Sequence, residues 1–237
     1  RSRFDNYTSM NLEEIADTEA LIKLMGCFYS DAEKNRPILE QIIQTVHSHT
    51  LAVDMSARLL ESGIMEPMLL LKKLKQEKAA LDATDTIGIS KDGKNHKATY
   101  YDHIHTLFSL YQLSEDEIDI MRNLALIPLS GIQNRLFANW LRLHDMNTVN
   151  VLIEKGFIKA MEGRTLALHP MMQEVTAEET KPSIQNCRTL LNSLQQICLR
   201  HGEEVSYYKQ LFQTIESMIK QIENNDMPVY LRFLEDV

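Results

Sequence analysis

Residues 148–179 read TVNVLIEKGFIKAMEGRTLALHPMMQEVTAEE, and the changes of pattern inside this stretch decide the fold. Val149, Leu152 and Ile153 fall on one face of a helix. Gly156 stops that helix, because glycine most cheaply adopts the left-handed conformation of a C-cap. Two short runs follow, Phe157-Ile158-Lys159-Ala160-Met161 and Thr165-Leu166-Ala167-Leu168-His169. Glu162-Gly163-Arg164 joins them as a tight turn, since Gly163 accepts positive φ. After Pro170 a second helix begins.

A helix, a β-ribbon and a helix, with more helices upstream, give the outline of a winged-helix domain, expected here over residues 113–181. Its first helix opens at Ser114, which with Glu117 three residues on makes a capping-box signature. Ile118, Met121, Leu124 and Ala125 face inward and Pro128 ends it. Residues 135–143, containing the chain's one Trp, form the second helix, and residues 147–155 the third.

Upstream, residues 17–112 predict a helical bundle. Asp17 is the N-cap of a helix whose apolar face is Ala20, Leu21, Leu24, Met25 and Phe28. After a polar break at 30–35, Ile38, Leu39, Ile42, Ile43 and Val46 mark a second helix. Leu51, Ala52, Met55, Leu59 and Leu60 mark a third, closed by Ser62-Gly63. A fourth, over 66–78, turns Leu70, Leu71 and Leu74 inward and its lysines outward. Residues 82–97 are a polar, turn-rich insert, with a strand at 86–90 and a hairpin turn at Asp92-Gly93. A helix over 99–111 follows, with Ile104, Leu107, Phe108 and Tyr111 on one face.

Downstream of Lys181-Pro182, Ile184, Cys187, Leu191, Leu194 and Cys198 step by three and four. Val205, Tyr208, Phe212, Ile215, Ile219 and Ile222 do the same. Residues 182–237 therefore predict an αα-hairpin with narrow apolar seams, the start of a TPR-like stack of helical repeats, although no tetratricopeptide consensus is present. The fold class expected from all of this is mainly α.

Composition agrees with a mostly helical globular chain: 237 residues with only 8 Gly and 6 Pro. A net charge of −8 works against a general role on nucleic acid, which needs a basic field. Cys27, Cys187 and Cys198 sit in apolar helical patterns and read as small buried hydrophobes of a reducing, cytoplasmic compartment. No apolar run approaches the roughly 20 residues that span a bilayer, so no membrane association is expected.

Several motifs invite chemistry. Residues 88–95, GISKDGKN, follow a phosphate loop except that Asn95 stands where a Mg²⁺-binding Ser or Thr belongs. The segment reads better as an exposed hairpin. His47-Ser48-His49 and His103-Ile104-His105 lie in or beside helical patterns, where residues two apart point away from each other, so no metal site is expected. Asp116, Glu117 and Asp119 suit a helix N-terminus. For DNA, the groove-facing helix would offer Thr148, Asn150 and Lys155, and the wing Lys159 and Arg164. This is a poor set for anchoring phosphate or reading guanine.

Taken in order, four features resemble the C-terminal part of the NB-ARC class of STAND signalling ATPases. Arg1-Ser2-Arg3-Phe4 looks like the end of the sensor strand, and residues 11–21, NLEEIADTEAL, look like the lead into the ARC1 helical bundle. Ser48-His49-Thr50-Leu51-Ala52-Val53 is similar to the family's Gly-Leu-Pro-Leu-Ala stretch, with Ser48 and Thr50 in place of Gly and Pro. Leu168-His169-Pro170 is similar to the Met-His-Asp motif, with Pro170 in place of Asp.

The resemblance implies that residues 1–16 are the tail of a nucleotide-binding domain whose phosphate loop lies upstream in a longer parent. Arg1, Arg3, Thr50 and His169 are then the nucleotide-binding positions, with Thr50 by the adenine and His169 at the β-phosphate of ADP. The parent is an ATPase using ADP/ATP with Mg²⁺, whereas this fragment alone hydrolyses nothing and needs no cofactor. Its partners are its own upstream nucleotide-binding domain and a protein signal at the C-terminal repeats, and exchange of ADP for ATP leads to oligomerisation. The rivals are a winged-helix transcriptional regulator that binds DNA and a ligand-independent helical scaffold for protein–protein interaction.

Overall fold

Helical periodicity dominates the sequence, and the chain is mainly helical with one small antiparallel sheet. The computed structural model describes residues 17–84, 94–198 and 205–222, with 228, 231, 232 and 235. It divides into two compact units, Arg1–His103 and Ile104–Val237.

The first unit is built from α1 (Thr18–Gly26), α2 (Arg36–Thr45), α3 (Thr50–Glu61), α4 (Pro67–Thr84) and the start of α5 (Lys94–Leu110). Asp17 caps α1 as expected, its carboxylate accepting from the Glu19 N–H at 3.0 Å. α3 is buried along most of its length. Leu51, Ala52, Val53, Met55, Ala57, Leu59 and Leu60 are all buried, so nearly every face of this helix is covered. α1 packs on α2 and α3, and α2 on α4. The reversal between α2 and α3 uses two consecutive left-handed residues, His47 (φ 53°) and Ser48 (φ 59°). Arg36 binds Glu19 and Glu40 and so ties α2 to α1. Arg58 lies 3.8 Å from the centre of the Phe28 ring.

The insert expected over 82–97 is shorter than its composition suggests, because α4 continues to Thr84 and α5 begins at Lys94. The expected strand at 86–90 and the turn at Asp92-Gly93 lie outside the described residues, as does most of the phosphate-loop-like stretch. Lys94 and Asn95, its last two residues, open α5.

In the second unit, α6 (Glu115–Ala125) starts with a complete capping box: Ser114 and Glu117 exchange side-chain and backbone hydrogen bonds. There follow β1 (Ile132–Gln133), α7 (Asn134–Leu141), α8 (Asn147–Glu154), β2 (Ile158–Met161), β3 (Thr165–Leu168) and α9 (Pro170–Thr180). β2 and β3 form the expected ribbon, pairing Ile158 with Leu168 and Met161 with Thr165. Gly163 (φ 72°) turns the ribbon. β1, which the sequence did not suggest, adds to the other edge of β3, so the sheet runs β1-β3-β2. The core gathers Phe137, Trp140, Leu152, Phe157, Met172 and Val175. Phe157 meets Phe108 and Tyr111 of the α5 end edge-on, at 5.5 and 4.8 Å.

The C-terminal helices depart from the expected seams. α10 (Arg188–Cys198) begins four residues after Ile184, because Ser183 and Asn186 first close a reciprocal turn: the Ser183 N–H donates to Asn186 Oδ1 and the Asn186 N–H to Ser183 Oγ. α10 lies on α7. In α11 (Val205–Gln221) the buried face is Leu211, Ile215, Met218 and, just beyond its end, Ile222, whereas Phe212 and Ile219 are exposed. The connection 199–204 lies outside the described residues. Among the described residues no helix is long and apolar enough to cross a membrane.

Candidate functional site

The strand-to-helix junction at His169 is built by Pro170 and by the cap itself. Pro170 fixes φ at the first helical position, where its missing N–H is no loss. His169 keeps an extended backbone (φ −65°, ψ 144°), and its Nδ1 accepts from the Met171 N–H at 3.3 Å. His169 is half-buried at the N-terminus of α9. Gln173, one turn on, donates from Nε2 to the carbonyls of Ala125 and Ile127 at 2.6 and 2.7 Å. That link holds α9 against the end of α6.

Thr50 is the first residue of α3 and half-buried, next to His49 as the backbone N-cap. Arg1 and Arg3 lie outside the described residues. Thr50 belongs to the first unit and His169 to the second.

The five residues expected on a DNA-facing surface have unlike surroundings. Lys155 is not available to phosphate, because its ammonium binds the Glu117 carboxylate, which is buried at the start of α6. Burial pushes the Glu117 carboxyl up. The Lys155 hydrogen bond and the Ser114 N–H pull it further down, so that it titrates below the usual carboxylate range. Thr148 is half-buried and lines a polar cavity of about 400 Å³ with Asp116, Asp119, Arg142, His144 and Asp145. Carboxylates outnumber cations there, so the cavity repels a phosphate. Asn150, Lys159 and Arg164 are exposed. The pairing of Lys155 with Glu117, 38 residues apart, was not visible in the sequence; the capping box that fixes Glu117 was the available clue.

The two His-x-His pairs are separated by the fold. His47 lies in the left-handed turn before α3, and its ring centre is 6.0 Å from that of buried His103. His105 instead reaches Glu179 on α9, Nε2 to Oε1 at 2.6 Å. Among the described residues no group of three or more His, Cys, Asp or Glu could hold a metal ion. The cysteines divide as well. Cys187 is buried, and burial pushes its thiol up to about 12; Cys198 is half-buried and raised by the same cause. Cys27, expected to be buried, is exposed at the C-cap of α1 with its Sγ toward the Lys23 carbonyl. It falls one position past the end of α1 and two past Met25, the last residue of the buried face.

No family model, curated protein or solved structure matches the chain.

Proposed function

We propose that the chain is the regulatory part of a STAND-type signalling ATPase of the NB-ARC class. In this reading residues 17–112 are an ARC1-like bundle, residues 113–181 a winged-helix module, and residues 182–237 the start of a helical-repeat sensor. ADP, held by an upstream nucleotide-binding domain, is locked in place by His169. A protein signal at the repeats weakens the lock, ATP replaces ADP, and the parent oligomerises. A switch of this kind works only if ADP binds the closed state more tightly than the open one.

The observation that carries the reading is the cap at His169. Its Nδ1 accepts from the Met171 N–H, which fixes the imidazole at the N-terminus of α9, where the helix dipole favours an anion. The Lys155–Glu117 pair supports a protein-packing module over a DNA reader, since the cation of α8 is already neutralised.

The test is ADP affinity in the parent protein, measured for His169→Ser and His169→Ala. Serine is a good N-cap but too short to reach a phosphate. Both variants are expected to bind ADP about tenfold more weakly, roughly one charge-assisted hydrogen bond, and to raise basal activation. An unchanged affinity in His169→Ser would reduce His169 to a helix cap and end the proposal.

A further inference from the structure

Between α2 and α4 runs a cleft of about 480 Å³, lined by Gln41, Met68, Leu71, Lys72, Lys75 and Gln76. Met68, Leu71, Lys72 and Lys75 stand at i, i+3, i+4 and i+7 of α4, so they form one stripe along the helix. Leu71 is buried at its floor, while Met68 is 60% exposed. An exposed methionine over a buried leucine gives the cleft an apolar surface that a partner side chain can cover.

The charged residues that line the cleft, Lys72 and Lys75, are both cations. Lys72, Lys73 and Lys75 are all exposed, and none has an ion pair among the described residues. The Lys75 Nζ donates to Gln41 Oε1 at 3.3 Å, which sets that ammonium at the cleft edge. The one carboxylate of α2, Glu40, is taken by Arg36 at 3.1 Å. Among the described residues these lysines form a basic rim without ion pairs on an apolar floor, in a chain of net charge −8.

We propose that this cleft docks an acidic amphipathic helix of a partner protein. Apolar side chains spaced i, i+3 or i+4, i+7 on that helix enter between α2 and α4, and flanking Asp or Glu residues pair with Lys72, Lys73 and Lys75. A concave cleft suits a helix ridge better than a membrane, which takes up a protruding apolar face. The surface is independent of His169 and stands whether or not nucleotide is bound.

The experiment is selection of helical peptides from a display library against the full chain, followed by anisotropy titration of the selected sequences. The expected pool carries Asp and Glu beside a leucine- or phenylalanine-rich stripe. Lys72→Glu with Lys75→Glu should weaken a selected peptide about tenfold, two rim charges' worth. The same double variant should bind the peptide whose acids are changed to Lys. Met68→Asp, at an exposed position that leaves the core untouched, should abolish both. A pool without acidic bias, or an affinity indifferent to the double variant, overturns the proposal. So does binding to phosphatidylserine vesicles in place of peptide, or a dimer that Met68→Asp dissociates.

Discussion

Gly131 shows how one residue fixes the geometry of the sheet. Its φ is +81°, and a Cβ there would stand 2.5 Å from the Leu166 carbonyl oxygen and 2.7 Å from Thr165 Cγ2. Gly131→Ala therefore combines a left-handed alanine with a clash against the backbone of β3, at a cost of roughly 2–4 kcal/mol. Gly63, with φ +69° and nothing within 4 Å of a built Cβ, should lose only about 1 kcal/mol on the same change. Urea unfolding of the two variants checks the contrast, and equal losses would mean that the Leu166 contact relaxes. The cysteines give a second residue-scale expectation. At pH 8 the exposed Cys27 should be alkylated by iodoacetamide well before Cys198, and Cys187, with its thiol pushed up to about 12, should react only on unfolding. Mass mapping of the alkylated sites reads this directly, and early labelling of Cys187 would mean that its site opens in the native state.

Elements were legible where the signal is local. The caps at Asp17 and Ser114, the stops at Gly63 and Gly156 and the turn at Gly163 are set by residues a few positions apart, and the structure has each of them. β1 is only two residues long and exists because Ile132 and Gln133 meet Leu166 and Thr165, far along the chain; no periodicity can announce it. In α11 two interleaved apolar stripes compete, and the stripe through Leu211, Ile215 and Met218 is the one covered. The Lys155–Glu117 link is of the same non-local kind, and it carries an element-scale prediction. Glu117 has its carboxyl held below the usual range by Lys155 and Ser114 against the pull of burial. A depressed carboxylate adds stability above its unfolded pKa of about 4.3, and that stability fades as pH falls through the folded value. Glu117→Gln should therefore lower Tm at pH 7, and the gap to wild type should close as pH drops from about 5 to 3. A gap that stays constant with pH would assign the loss to packing alone. Lys155→Ala, which leaves that carboxylate buried without its cation, should cost about 1–3 kcal/mol, while Lys159→Ala and Arg164→Ala at exposed positions should cost almost nothing.

At the scale of the whole molecule, charge argues against the DNA-binding reading. Duplex affinity grows with the phosphates neutralised, and each contributes close to one unit of salt dependence. This chain brings a net charge of −8, a cation on α8 already bound to Glu117, a carboxylate-rich cavity at Thr148, and Lys159 and Arg164 as the two exposed cations of the expected DNA-facing set. Two such contacts give a logarithmic salt slope of about −2 and an affinity no better than the non-specific range of roughly 10⁻⁴ M. The expected outcome is that a fluorescent duplex shows no binding at low micromolar protein in about 150 mM salt, with Lys159→Ala and Arg164→Ala indistinguishable from wild type. Sub-micromolar binding that weakens on Arg164→Ala would place the ribbon on DNA and return the transcriptional regulator to first place. Against that −8, Lys72 and Lys75 of the α2–α4 cleft put local positive charge beside apolar surface, the combination that the proposed acidic helix requires.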